Sequence, residues 1–260
     1  MRYVVTHGHI FKNAGTTFDY ALKKAFGRDF CDHRDDAAMR QGGARYLKEF
    51  ILDQPGLKAI SSHHLCNPLP VSNEFTCIPI YFVRNPIDRI VSVYSFERKQ
   101  RGVSKGAQMA SKLSLEDYVR WRMTPEAPKV ISDYQTAYIG RDRNLRPDEA
   151  VGLDIFQRAL ELVASNEAMI GTVERFDESF RYITKQLQAY FPGVNFRYKK
   201  KNIQNRRSSE EKLRAALDQL KPVLAEVVAS NSYDMALYHA VDQRLNEISL
   251  HAENGDPNLS

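Results

Sequence analysis

Two hydrophobic periodicities alternate along the first part of the chain. Arg2 to Thr6 is β-branched and aromatic, the composition of a buried strand. Phe18, Ala21, Leu22 and Ala25 then recur at helical spacing, which predicts a helix over 16–26 that Gly27 stops. A loop containing Gly8, Lys12, Asn13 and Gly15 joins the two. Phe75 to Val83 is a near-continuous apolar run suited to a strand covered on both faces, and Pro79 places an irregularity or a sheet edge in its first half. Past Arg84 and Asn85, Pro86 suits a first helical turn, and Ile87, Ile90, Val91 and Tyr94 make the apolar stripe of a second helix. The chain therefore holds two strand, turn, helix units.

The remaining pattern fills in around them. Residues 36–53 read as a helix interrupted by Gly42 and Gly43, and Leu57 to Ser61 as a short strand ending at His63 and His64. The basic, Gly- and Ser-rich stretch from Gln100 to Lys112 reads as a mobile surface loop. Short helices are expected over 115–121, 131–139 and 153–163, a strand over 168–173 and a helix over 176–190. Ser208 with Glu211 predicts a capping box opening a long helix, and one more helix is expected over 233–250. The polar tail, 251–260, is expected to be disordered. With no internal repeat or low-complexity linker, a single α/β domain over 1–250 is the economical reading.

Composition narrows the class. With 260 residues and 43% hydrophobic side chains the chain can build a core, which excludes disorder as its main state. Lys and Arg exceed Asp and Glu by 37 to 32, a net charge of +5 that favours anionic partners. Cys31, Cys66 and Cys77 are scattered and form no CxxC pair, so neither a disulfide framework nor a four-cysteine zinc site is indicated. No apolar stretch approaches the roughly 20 residues that span a bilayer. The opening residues lack the apolar core of a signal peptide. A cytoplasmic protein in a reducing compartment, without a transmembrane segment, is the expectation.

Both strand-to-helix turns carry anion-binding chemistry. A strand entering a helix through a glycine-containing loop aims unpaired N–H groups at one point, where the helix dipole also favours negative charge. Lys12, Asn13, Ala14, Gly15, Thr16 and Thr17 form such a phosphate cradle. It is not a Walker A loop, because Lys12 precedes Gly15 instead of following the second glycine. At the second turn Arg84 stands at the carboxyl end of the strand, where open α/β sheets bind ligands, and Ser92 lies two turns along the helix. Guanidinium matches phosphate oxygens bidentately, so two anion sites on neighbouring strands imply a doubly phosphorylated nucleotide.

These residues carry a resemblance. Lys12-Asn13-Ala14-Gly15-Thr16-Thr17 and Arg84-Asn85-Pro86 through Tyr94 resemble the 5′-phosphosulfate loop and 3′-phosphate motif of sulfotransferases, and are most similar to the carbohydrate sulfotransferase family that includes heparan sulfate 2-O-sulfotransferase. Ile60-Ser61-Ser62-His63, Asp133-Tyr134-Gln135-Thr136, Ile170 through Ser179, and Asp234 with Leu237-Tyr238 follow in the family's order. Phe11 stands where family members usually have Pro, and Asn13 where many have Thr. The resemblance implies a P-loop-like three-layer sandwich with a central, mainly parallel sheet flanked by helices. It also implies transfer of a sulfuryl group from 3′-phosphoadenosine 5′-phosphosulfate (PAPS) to a hydroxyl, here of a saccharide, leaving 3′-phosphoadenosine 5′-phosphate (PAP). In that scheme Lys12 donates to the bridging oxygen, the loop with Asn13, Ala14, Gly15, Thr16 and Thr17 holds the 5′-phosphate, Arg84 with Ser92 holds the 3′-phosphate, and no metal is required. The alignment favours His63 over His64 as general base, and a histidine titrates close to operating pH.

Other readings stay open at this level. A kinase-like transferase would need Mg²⁺ and an acidic ligand near the loop, for which Asp19 is the close candidate. A noncatalytic nucleic-acid-binding protein would use the net charge and the basic stretch Arg197 to Arg207. His7, His9 and Cys66 offer the elements of a metal site, although no regular ligand spacing accompanies them.

Overall fold

The structure, a computed structural model, describes residues 1–65, 67–100, 102, 104–141, 150–165, 167–199 and 208–253. Five strands, β1 (Arg2–Gly8), β2 (Phe30–Asp32), β3 (Ala59–Ser62), β4 (Phe75–Val83) and β5 (Met169–Thr172), form one sheet in the order β2-β3-β1-β4-β5, every pair parallel. The helices are α1 (Gly15–Phe26), α2 (Asp36–Leu52), α3 (Pro86–Lys99), α4 (Lys105–Lys112), α5 (Leu115–Met123), α6 (Tyr134–Gly140), α7 (Leu153–Ala164), α8 (Phe176–Leu187), α9 (Ser209–Leu220), α10 (Leu224–Ala229) and α11 (Ser232–Glu253).

Alternation along the strands builds the layers. Val5, Ile78, Ile80 and Phe82 face one side and pack on Phe18 and Leu22 of α1 and Phe180, Ile183 and Leu187 of α8. Val4 and Ile60 face the other, against Met39, Leu47 and Ile51 of α2. Tyr81, Val83 and Ile170 share that side with Ala159 of α7 and Leu237 and Val241 of α11. The expected α/β architecture, a parallel sheet flanked by helices, is what these layers make. β5 pairs with β4 only from Ile80 onward, so Pro79 and the residues before it have a strand neighbour on the β1 side alone. The missing N–H of Pro79 is tolerated in that half-edge position.

Several elements differ from the sequence expectation. The stretch expected as a loop carries α4, capped by Ser104, whose side chain accepts from Ala107 N. Its buried face consists of Gly106, Ala107 and Ala110, small residues that hydropathy patterning underweights. The helix expected over 131–139 starts at Tyr134, and the long helix after the Ser208/Glu211 capping box ends at Leu220, where Lys221–Val223 with Pro222 forms a 3₁₀ turn. α2 is kinked at Gly43, and β2 is too short to give a periodic signal. α11 continues to Glu253, into the segment expected as a disordered tail, whose residues 254–260 lie outside the described residues. No helix among the described residues is long and apolar enough to cross a membrane.

A buried ion pair fixes α3 to α5, and α4 packs against it. Arg122 Nη2 donates to both oxygens of Glu97 at 2.6 Å, its Nε donates to Tyr118 Oη at 2.8 Å, and Tyr118 donates to Glu97. A Cβ on Gly106 would stand 2.1 Å from Arg122 Nη2, so only glycine lets α4 approach this closely. Removing one partner leaves a buried charge unpaired, at a cost of about 3–5 kcal/mol. Glu97→Ala is therefore expected to lower Tm by on the order of 10 °C in a thermal melt.

Candidate functional site

The carboxyl ends of three adjacent strands, β3, β1 and β4, bring the predicted residues together. β1 passes into the loop 9–14, whose residues Lys12 (φ 68°) and Ala14 (φ 60°) both lie in the left-handed region. Non-glycine residues there cost on the order of 1 kcal/mol or more each and persist where surroundings over-determine them. Here the surroundings come from the turn after β4 and from α3. Arg84 Nη1 donates to Lys12 O at 3.0 Å, and Nε of the fully buried Arg89 donates to Phe11 O at 3.2 Å. Two guanidinium groups thus hold the loop carbonyls, and alternating handedness turns N–H groups to the concave side, an arrangement that takes up anions.

α1 begins without a cap. Ala14, its N-cap residue, offers no side-chain hydrogen bond. Thr17 N is bonded back to Ala14 O at 2.9 Å, whereas the N–H groups of Ala14, Gly15 and Thr16 have no partner among the described residues. Thr16 is exposed and Thr17 half-buried, so both hydroxyls border the opening. Gly15 is required by packing: a Cβ there would lie 2.2 Å from the His9 ring.

The Lys12 side chain, on the loop that enters α1, rests with its Nζ 4.3 Å from the ring centre of Phe96 on α3, and no carboxylate pairs with it among the described residues. Burial first, and then the neighbouring charges of Arg84 and Lys99, lower its pKa from the usual lysine value. The ammonium is thereby a partly desolvated, unneutralised charge carried by the loop that leads into an uncapped helix.

Asn13 reaches the loop but turns its side chain inward. Its Nδ2 donates to Phe82 O at 2.7 Å and to Gln135 Oε1 at 2.6 Å, so both amide hydrogens are engaged in the interior. The side chain proposed from sequence as an anion donor instead fastens the loop to β4.

The residues expected to form a second anion site come together around an internal carboxylate. Arg84 donates from Nε (2.9 Å) and Nη2 (2.6 Å) to Asp88 Oδ2, one turn along α3. Ser92 follows Asp88 by four residues and so lies on the same helix face, half-buried and with no hydrogen bond among the described residues. Asn85 caps α3 by accepting from Ile87 N at 3.0 Å, and Pro86 occupies its first turn.

His63 follows β3 on the opposite flank of the loop. Its Nδ1 donates to His9 O at 2.8 Å, which fixes the hydrogen on Nδ1 and leaves Nε2 of the neutral ring as an open acceptor. Burial, with His9 and Arg34 nearby, lowers its pKa from the ordinary histidine value, favouring the neutral form. His64 points elsewhere, toward Asp36 (3.6 Å) and Arg40 (3.4 Å) of α2. The two neighbouring histidines, indistinguishable by chemistry in sequence, are separated by what each contacts.

Asp19 was the sequence candidate for a magnesium ligand. In the fold it is buried, and its two oxygens accept from His7 Nδ1 (2.7 Å) and His9 Nδ1 (2.8 Å). Burial alone would raise its pKa, but the two imidazoles overcome this and hold the carboxyl well below the usual range. His7, His9 and Asp19 also bring three metal-ligating atoms within 4.8 Å of one another. Those same atoms are joined by hydrogen bonds, and the ring of His9 lies 4.3 Å from that of His63. Cys66 and residues 200–207 of the basic stretch lie outside the described residues.

Residues 1–239 match the model of a family described as the sulfotransferase family. An uncharacterized protein of Archaeoglobus fulgidus is 27% identical over 252 residues, which cover 92% of this chain and 96% of that relative.

Proposed function

Because the chain belongs to the sulfotransferase family, we propose that it moves a sulfuryl group from PAPS to a hydroxyl of a carbohydrate acceptor and releases PAP. The observation that carries the reading is the uncapped start of α1, with the unpaired Lys12 beside it and the open Nε2 of His63 across the loop.

The reaction is an in-line displacement. The acceptor oxygen forms a bond to sulfur as the bond from sulfur to the bridging oxygen breaks. His63 Nε2 takes the hydroxyl proton, and the electron pair of the broken bond stays on the 5′-phosphate. Lys12 neutralises that growing charge, and the N–H groups of Ala14, Gly15 and Thr16, with the Thr16 and Thr17 hydroxyls, hold the phosphate. Positioning and charge stabilisation supply most of the rate, as in phosphoryl transfer. A metal has no assigned step.

Arg84 and Ser92 take the 3′-phosphate. The pairing with Asp88 presets the Arg84 fork, and the phosphate competes with that carboxylate for it. Arg84→Ala is expected to weaken PAP binding by about 10- to 100-fold in calorimetry, since hydrogen bonds to charged groups contribute about 1.5–3 kcal/mol.

The deciding assay follows label from sulfur-labelled PAPS into a panel of oligosaccharides and small hydroxyl compounds, with chelator present. Labelled saccharide with stoichiometric PAP is the expected result. Absence of PAP binding, or phosphoryl transfer from ATP that requires magnesium, would overturn the reading.

A further inference from the structure

Two sequence motifs have no step in the proposed reaction, the segment around Gln135 and the segment around Asp234, and the fold joins them directly beneath both anion loops. Gln135 is fully buried. Its Oε1 accepts from Asn13 Nδ2 at 2.6 Å and from Arg84 N at 2.8 Å, and its Nε2 donates to Arg84 O at 2.9 Å and to Asp234 Oδ2 at 3.3 Å. All four hydrogen-bonding positions of one amide are filled. Its orientation is unambiguous: Arg84 N only donates and the Asp234 carboxylate only accepts.

Asp234, on α11, locks the amide in turn. Its Oδ1 accepts from Thr136 N (2.7 Å) and Thr136 Oγ1 (2.8 Å), and its Oδ2 also accepts from Gln135 N (3.1 Å). The first turn of α6 is therefore capped from another helix, and Gln135 is held rigidly where it enters the site. One arm of its side chain ends on the loop between β1 and α1, through Asn13. The other ends on the backbone of Arg84, where β4 turns into α3.

We propose that Gln135 is a positioning residue that sets the separation of the two anion-binding loops, so that both phosphates of one nucleotide engage together. The inference rests on the PAPS reading given above. A ligand anchored at both ends gains from the second contact only if the spacing is already correct, which is the logic of effective concentration. A fully satisfied buried amide network supplies the needed rigidity. Gln135 touches neither phosphate in this arrangement and acts through Asn13 and Arg84.

The test compares ligands that fill both loops with ligands that fill one. Wild-type protein is expected to bind PAP more tightly than adenosine 5′-monophosphate in calorimetry. Gln135→Met keeps the side-chain volume and removes the fastening. It should raise the PAP Kd by about tenfold or more while changing that of the monophosphate by less than about threefold, with KM for PAPS rising more than kcat falls. Asn13→Ala, which cuts one arm only, should lose the preference for PAP in the same direction and decides the matter if Gln135→Met does not fold. Equal losses for both ligands, or no loss for either, would overturn the role of Gln135. A wild-type protein with no preference for PAP would instead overturn the PAPS reading.

Discussion

Lys12→Ala is expected to lower kcat by about 10²–10³-fold, the loss typical of removing one donor to a developing oxyanion. The ammonium has no carboxylate partner among the described residues, rests on the Phe96 ring, and stands near Arg84 and Lys99 in a partly buried position. Its backbone is held in a left-handed conformation by the Arg84 contact to its carbonyl, so the side chain is aimed before any ligand arrives. Charge on the bridging oxygen is small in bound PAPS and grows as the bond to sulfur breaks. An interaction that strengthens with that charge acts on kcat more than on binding. PAP affinity, measured separately, should fall far less than turnover. Lys12→Arg should keep binding without restoring rate, because a guanidinium fork cannot take the position of a compact ammonium. A Lys12→Ala variant with near-normal kcat would remove Lys12 from the chemistry.

The two strand, turn, helix units were readable because their signals are local and strong. Phe75–Val83 is a strand over the full run that its apolar content marks, and Pro79 falls where β5 has not yet joined β4. α4 was not readable for the opposite reason. Its buried face is Gly106, Ala107 and Ala110, with Gly106 against the Glu97–Arg122 pair and Ala110 in the apolar cluster around Ile90 and Val93, small residues that leave little trace in hydropathy.

The candidate site divides along the same line. The loop 12–17 and the pair Arg84 and Ser92 are short-range patterns, and the sheet order places them side by side. What fastens them is long-range. Asn13 meets Gln135 across 122 residues and Gln135 meets Asp234 across 99, so the inward turn of Asn13 could not be foreseen from the composition of its loop. Arg89 of α3 is likewise fastened at long range, buried and donating to Phe11 O and Val130 O. Asp88 did carry a signal, its spacing of four from Arg84 across the start of a helix.

His63→Ala should lower kcat/KM by about 10²–10⁴-fold, the range for loss of a general base, with PAP affinity unchanged within about twofold. The histidine has the geometry of a base, since Nδ1–H is committed to His9 O and Nε2 is left to accept. Its pH behaviour follows from sign. Burial, assisted by His9 and Arg34 and opposed by the contact to His9 O and by Asp36, lowers its pKa below the usual 6.5. The ring is therefore neutral at pH 7, and activity should be lost only as pH falls through a value under 6.5. On the alkaline side Lys12 loses its charge as pH rises, through a pKa lowered from the usual 10.5 by burial, Arg84 and Lys99. The kcat/KM profile, which reports groups on the free enzyme, should be a bell with both limbs displaced to lower pH. In His63→Ala the residual activity should lose the acid limb and keep the alkaline one. His64→Ala, whose ring faces Asp36 and Arg40, should retain the full bell. A bell that survives His63→Ala but loses its acid limb in His64→Ala would transfer the base to the neighbouring residue.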